Sequence, residues 1–200
     1  MCDFNSYIKT SLKKLLLANL FALLLIAPAY GQQAPLSTQQ FSIHTNLLYW
    51  LAGMPNAGIE YQPNKNIGLL LNGGWNHWTG NNAPKHHRTW YITPEIRYYL
   101  GEAKRWHLGL EGYAGQFNFK FNDTGRQANF VGGGLTGGYR LQLSSVFDLD
   151  FNLGFGYARL TDYEKYRKES DVYIRTQPMK TRNYWGLTQP SLSLVWKIKN

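Results

Sequence analysis

Between residues 147 and 161 the chain alternates with a period of two. Phe147, Leu149, Phe151, Leu153, Phe155 and Tyr157 take one set of positions; Asp148, Asp150, Asn152, Gly154, Gly156 and Ala158 take the other. Successive side chains of a strand point to opposite sides, so this stretch has one apolar face and one polar or small face. It is longer than the ~5–6 residues usual in a soluble sheet. It matches the ~9–11 residues that a tilted strand needs to cross a bilayer.

The same alternation recurs along the chain. Strands are expected at 41–51, 56–62, 67–79, 89–100, 106–121, 128–143, 147–161 and 184–198, with turns or loops between them. Pro94 weighs against its segment, because proline removes a ladder donor. The connections at 63–66, 101–105 and 144–146 are short, whereas 80–88, 122–127 and 162–183 are longer. Short turns at one end and long loops at the other mark bacterial membrane barrels, and eight strands make the smallest of these. The expected fold is therefore all-β: an eight-stranded antiparallel up-and-down transmembrane barrel over residues 41–200, with both termini on the periplasmic side.

Alternation alone does not say which face is outside. A soluble lipocalin-like barrel also has eight strands but turns its apolar face inward. Here Lys65, Lys85, Lys104, Lys165, Lys168 and Lys180 all fall in expected turns or loops, leaving no lysine-rich face to solvate. Aromatic residues collect near the strand ends: Phe41, Tyr61, Trp106, Phe147 and Trp196 at one interface, Tyr49, Trp75, Trp90, Tyr157 and Tyr184 at the other. Two such girdles belong to a membrane barrel. Asp148, Asp150, Glu60, Glu95, Arg97, Glu111 and Arg140 then face the lumen, where carboxylates and guanidiniums must alternate to be buried. Hairpin register pairs Arg140 with Asp150 and brings Glu111 within diagonal reach of Arg140.

The N-terminus reads differently. Lys9, Lys13 and Lys14 precede an apolar run over 15–26, and Ala29-Tyr30-Gly31 supplies small residues for cleavage. Residues 1–31 fit a secretory signal peptide, and 32–40 a periplasmic leader. The single cysteine, Cys2, leaves with the signal. The formal charge of +9 falls to +7 once Lys9, Lys13, Lys14 and Asp3 are removed. A basic chain can suggest nucleic acid, but export, the lack of zinc-site spacing and the lack of a groove-sized helix exclude that class. A basic exported chain is better matched to the phosphates of an outer membrane and its lipopolysaccharide.

Several strings carry a resemblance: Asn46-Leu47-Leu48-Tyr49, Pro55-Asn56-Ala57-Gly58-Ile59-Glu60, Trp75-Asn76-His77-Trp78, Pro94-Glu95-Ile96-Arg97-Tyr98-Tyr99-Leu100, Tyr163-Glu164-Lys165-Tyr166 and Asn183-Tyr184-Trp185-Gly186-Leu187-Thr188. In order and spacing the chain resembles a Bacteroidota family of eight-stranded outer-membrane barrels of unknown function. Many relatives carry a cysteine where this chain has Gly101. The resemblance implies an outer-membrane barrel with an accessory role at the envelope, near fimbrial and surface-assembly proteins. It transfers no catalytic residue, cofactor or metal.

Two clusters invite a chemical reading. Some small outer-membrane barrels modify lipid A acyl chains with a serine, a histidine and an acid, so His77 near Thr79 suggests an acyl hydrolase or transferase as the alternative function. That chemistry needs a nucleophile, a base and an orienting acid within reach of one another. Thr79 is a poor nucleophile, and no acid falls at matching depth. The second cluster is basic: Lys85, His86, His87 and Arg88 in one loop, and Lys165, Arg167, Lys168, Arg175, Lys180 and Arg182 in another. These are candidate contacts for lipopolysaccharide phosphates or for an envelope or fimbrial protein. The leading expectation is a non-enzymatic envelope protein with basic outer loops.

Overall fold

The computed structural model describes residues 41–79, 86–120, 124–169, 172–175 and 178–198. The expected signal and leader at 1–40 lie outside the described residues.

The staves are β1 (Phe41–Asn46), β2 (Asn56–Asn64), β3 (Ile67–Thr79), β4 (His86–Leu100), β5 (Trp106–Lys120), β6 (Thr124–Gln142) and β7 (Phe147–Glu169). The last stave is made of two pieces, β9 (Lys180–Leu187) and β10 (Ser191–Ile198), and β8 (Val172–Arg175) forms a short hairpin with the end of β7. From β1 to β8 each strand pairs antiparallel with the next, β9 pairs with β7, and β10 pairs with both β1 and β7, closing an eight-stranded barrel.

The alternation decides which face goes where. Leu110, Leu135, Leu153 and Phe155 point outward and are 51–68% exposed. The intervening Glu111, Thr136, Asn152 and Asp150 are at most 5% exposed. A closed surface this apolar cannot be hydrated favourably, while its ionisable groups lie inside. Aromatic residues ring both ends. The Phe41 ring meets Tyr61 at 5.0 Å, tilted by 34°, and Trp106 meets Tyr139 at 4.8 Å. At the other end Trp75, Trp78, Trp90 and Trp185 are all exposed.

Short turns fix the register. Asn64 accepts the amide hydrogens of Asn66 and Ile67 at 2.9 and 3.0 Å. Ser144 does the same for Val146 and Phe147 at 3.2 and 2.9 Å. Gly101 turns with φ +73°, where a side chain would be strained. The Pro94 defect is local: the β4–β5 ladder passes from Ile92↔Ala114 to Glu95↔Glu111 without changing register.

Three expectations need correction. The first strand stops at Asn46, and Leu47–Leu51 forms a helix, α1, at the loop end of the barrel. Asn46 caps it by accepting the Leu48 amide hydrogen at 3.1 Å, which satisfies a donor that the helix start leaves orphaned. Tyr49 therefore leaves the outer girdle, and its ring meets Tyr91 edge-on at 5.5 Å. The expected loop at 162–183 is largely sheet. β7 continues to Glu169, β6 pairs with it from Thr124 onward, and β8 and β9 pair on its other side. Lys165, Lys168 and Lys180 thus lie in strands. Asp162, at φ +53°, marks the point where the ladders on both sides of β7 shift register. Such a bulge locally bends a strand and increases its twist. Finally, the last stave breaks at 188–190, so its two halves are separate strands.

Candidate functional site

The lumen near the short turns is packed with ions. Register places Arg140 opposite Asp150, and Arg140 Nη2 lies 3.3 Å from Asp150 Oδ2. The closer partner of Arg140 is Glu60, at 2.8 Å across the barrel. Arg97 bridges Asp150 at 2.5 Å and Glu95 at 2.9 Å. The network therefore runs Glu95, Arg97, Asp150, Arg140, Glu60, with charges of alternating sign. None of these five is more than 3% exposed.

Further hydrogen-bonding groups surround these ions. Glu60 also meets His44 Nε2 at 2.9 Å and accepts the Tyr99 hydroxyl, while Arg140 lies over the Tyr99 ring at 5.0 Å. Asp150 meets His107 Nε2 at 2.9 Å, and Glu95 accepts the Thr136 hydroxyl at 2.6 Å. Asp148 stands outside this chain of charges and pairs with Lys197 at 2.8 Å. Buried charges persist when they are paired, and each of these charges has an ion partner, although the Nε of Arg97 and of Arg140 and Asp148 Oδ2 have no hydrogen-bond partner among the described groups.

Sequence reasoning missed several members. His44 and His107 were legible as lumen residues by parity but not as carboxylate partners. Tyr99 and Lys197 also sit at lumen parity, and that was the available signal. One expected member is displaced. Glu111 does not reach Arg140: its Oε1 accepts the Thr188 hydroxyl at 2.5 Å, and its Oε2 has no partner among the described groups. The hairpin offset brings Glu111 near Glu95, but the break before β10 offers it Thr188 in place of a guanidinium.

The outer candidates separate. Lys85 lies outside the described residues, and His86 is described only as the first residue of β4. His87 is half-buried, within 3.4 Å of Asn76 and 3.1 Å of Thr89. Arg88 is exposed opposite His77, whose ring lies 6.4 Å from Trp75 on the outward face. Lys165, Arg167 and Lys168 fall on the extended part of β7, Arg175 on β8, and Lys180 and Arg182 on β9. Arg182 covers the Tyr163 ring at 4.4 Å. Among the described residues no group of three or more His, Asp or Glu is arranged to hold a metal.

Toward the loop end, beyond the ions, the lumen opens into a cavity of about 330 Å³ with aromatic walls from Tyr49, Tyr91, Tyr113, Phe117 and Phe130.

This geometry defines a class: a closed eight-stranded barrel, apolar outside and ion-paired inside. The chain belongs to the family described as "Protein of unknown function (DUF3575)", whose model matches residues 20–198. It is also similar to the solved structure of Neisserial surface protein A, at 15% identity, over 80% of this chain and 97% of that one, with a TM-score of 0.40. No curated protein matches it.

Proposed function

We propose that this protein is a non-enzymatic barrel of a Gram-negative outer membrane. In this reading it holds a basic β-blade above the bilayer, and the blade engages the phosphates of lipopolysaccharide. The apolar exterior and the two aromatic belts support the membrane reading, because only a closed barrel satisfies all strand hydrogen bonds in hydrocarbon.

The blade carries the functional reading. At about 3.3 Å per residue, the 23 residues of β7 extend roughly 75 Å, well beyond a tilted crossing of ~30 Å of hydrocarbon. The excess pairs with β6, β8 and β9. Arg126, Arg167, Lys180 and Arg182 are exposed on these strands. Guanidiniums on a preformed sheet recognise phosphate at lower ordering cost than a loose loop does.

The test is binding of the folded barrel to vesicles with and without lipid A. The variant Arg126→Gln/Arg167→Gln/Lys180→Gln/Arg182→Gln should lose the lipid A-dependent part, and salt should weaken binding by the unaltered chain. Equal binding of variant and parent would refute the phosphate reading and leave an envelope protein, such as a fimbrial component, as the partner to seek.

A further inference from the structure

The loop-end cavity is lined neither by a member of the ion network nor by Arg126, Arg167, Lys180 or Arg182. Its volume is about 330 Å³, at the lower end of ligand pockets. An apolar cavity of about 150 Å³ is large enough to hold benzene. Twice that space suits a molecule of about two rings.

The lining decides the chemistry. Among the described residues that line the cavity there is no Asp, Glu, Lys, Arg or His. Phe117, Phe130, Leu160 and Leu187 share the walls with tyrosines, and Tyr49 meets Tyr91 edge-on at 5.5 Å. Several hydroxyls of the lining already donate within the protein. Tyr113 donates to the Tyr157 carbonyl at 2.9 Å, Tyr184 to the Leu187 carbonyl at 3.0 Å, and Thr188 to Glu111 at 2.5 Å. A charged guest would lose its water with no opposite charge on the lining to pair with, which is costly. An uncharged apolar guest meets no such penalty and gains ring contacts with the walls.

One side of the cavity lacks a backbone ladder. β1 pairs with β10 as far as Asn46↔Ser193, and among the described residues β9 pairs only with β7. Tyr49 and Met54, from α1 and the turn after it, line the cavity together with Tyr184 and Leu187 of β9. No residue of α1 is buried, and Leu48, Trp50 and Leu51 are exposed. The Trp75 amide donates to the Pro55 carbonyl at 3.2 Å, which sets this segment level with the aromatic belt at the loop end.

We propose that this cavity binds an uncharged apolar molecule of about two-ring size, a solute dissolved in the surrounding membrane. The side without a ladder, at the level of the belt, gives such a solute its way in. The occupant carries no phosphate and touches none of the basic strand residues, so failure of this proposal would leave the lipopolysaccharide reading standing.

Two methionines supply an internal comparison. Met54 lines the cavity, whereas Met179 does not and is 48% exposed. The full chain, labelled with ¹³C at the methionine methyls and folded in uncharged detergent micelles, is titrated with 2-ethylnaphthalene, 2-naphthylmethylamine and 2-naphthoate. Affinities are compared at equal probe concentration within the micelle. The hydrocarbon should shift the Met54 methyl saturably and leave Met179 unmoved, and it should bind at least about tenfold more tightly than either charged probe. Ala158→Phe, which places a ring on a cavity residue, should abolish the Met54 response. No saturable response at Met54, equal responses at the two methionines, equal binding of charged and uncharged probes, or a response that survives in folded Ala158→Phe protein would each overturn the proposal. The probe series on the unaltered chain decides the question even if the variant does not fold.

Discussion

Replacing Arg140 by alanine would test how the lumen is held. The side chain is 3% exposed and contacts two carboxylates, Glu60 at 2.8 Å and Asp150 at 3.3 Å, and the Tyr99 ring at 5.0 Å. Breaking a buried pair by removing one partner costs about 3–5 kcal/mol, because the other charge stays buried. The two carboxylates do not suffer equally. Asp150 keeps Arg97 at 2.5 Å and His107 at 2.9 Å. Glu60 loses the only guanidinium within salt-bridge distance among the described residues and keeps His44, Tyr99, Ser42 and Gln62. Most of the cost should therefore come from Glu60. Double-mutant cycles make that separable: the Arg140–Glu60 coupling should exceed the Arg140–Asp150 coupling, both within the ~0.5–3 kcal/mol found for contacting pairs. Unfolding in urea, followed by tryptophan fluorescence in phospholipid vesicles, would supply the four stabilities of each cycle. Additive costs in both cycles, or the larger coupling at Asp150, would refute the network as described.

Other positions test other parts of the structure. Leu135 is 68% exposed between Leu110 and Phe155; Leu135→Arg should cost roughly 2–4 kcal/mol if it lies near the bilayer midplane, measured as unfolding from vesicles, whereas a water-exposed site would tolerate it. Lys197→Met leaves the fully buried Asp148 without its cation and should destabilise by about 3–5 kcal/mol, with much of the loss recovered on adding Asp148→Leu; no recovery would mean that the pair is not the cause. Asn46→Ala removes the cap of α1 and a contact to the Leu192 amide. It should cost about 0.5–2 kcal/mol and speed hydrogen exchange at Leu48, a change that would be absent if the cap were unimportant.

What the sequence discloses depends on where the barrel wall imposes a pattern. Inside the barrel wall every second residue must be apolar, so β2 to β6 are legible to within about four residues at their ends and β7 from its start at Phe147, whereas the strand expected over 184–198 is broken at 188–190. Above the wall that demand disappears. Residues 162–169 of β7 continue the backbone ladder and carry Asp162, Glu164, Lys165 and Arg167 without a consistent apolar face, so a period-two criterion reads them as loop. The helix at Leu47–Leu51 fails for the opposite reason. It is only 5 residues long and wholly apolar or aromatic, so it satisfies a strand template as readily as a helix template, and its one distinguishing sign is Asn46 at the cap position.

The same division applies to the lumen charges. Arg140 opposite Asp150 follows from a tight hairpin, because register fixes neighbours on adjacent strands. Arg97 to Asp150 and Arg140 to Glu60 join strands that are not neighbours. Those contacts are set by the bore and tilt of the closed barrel, which no spacing along the chain encodes. Glu111 shows the consequence. Its neighbours on adjacent strands are Glu95 and Gly134, and neither supplies a cation. Its fate was decided across the lumen, where the interrupted last stave brings Thr188 to it. The interruption that ends β9 therefore takes Glu111 out of the ion network and sets its carboxylate against the Thr188 hydroxyl.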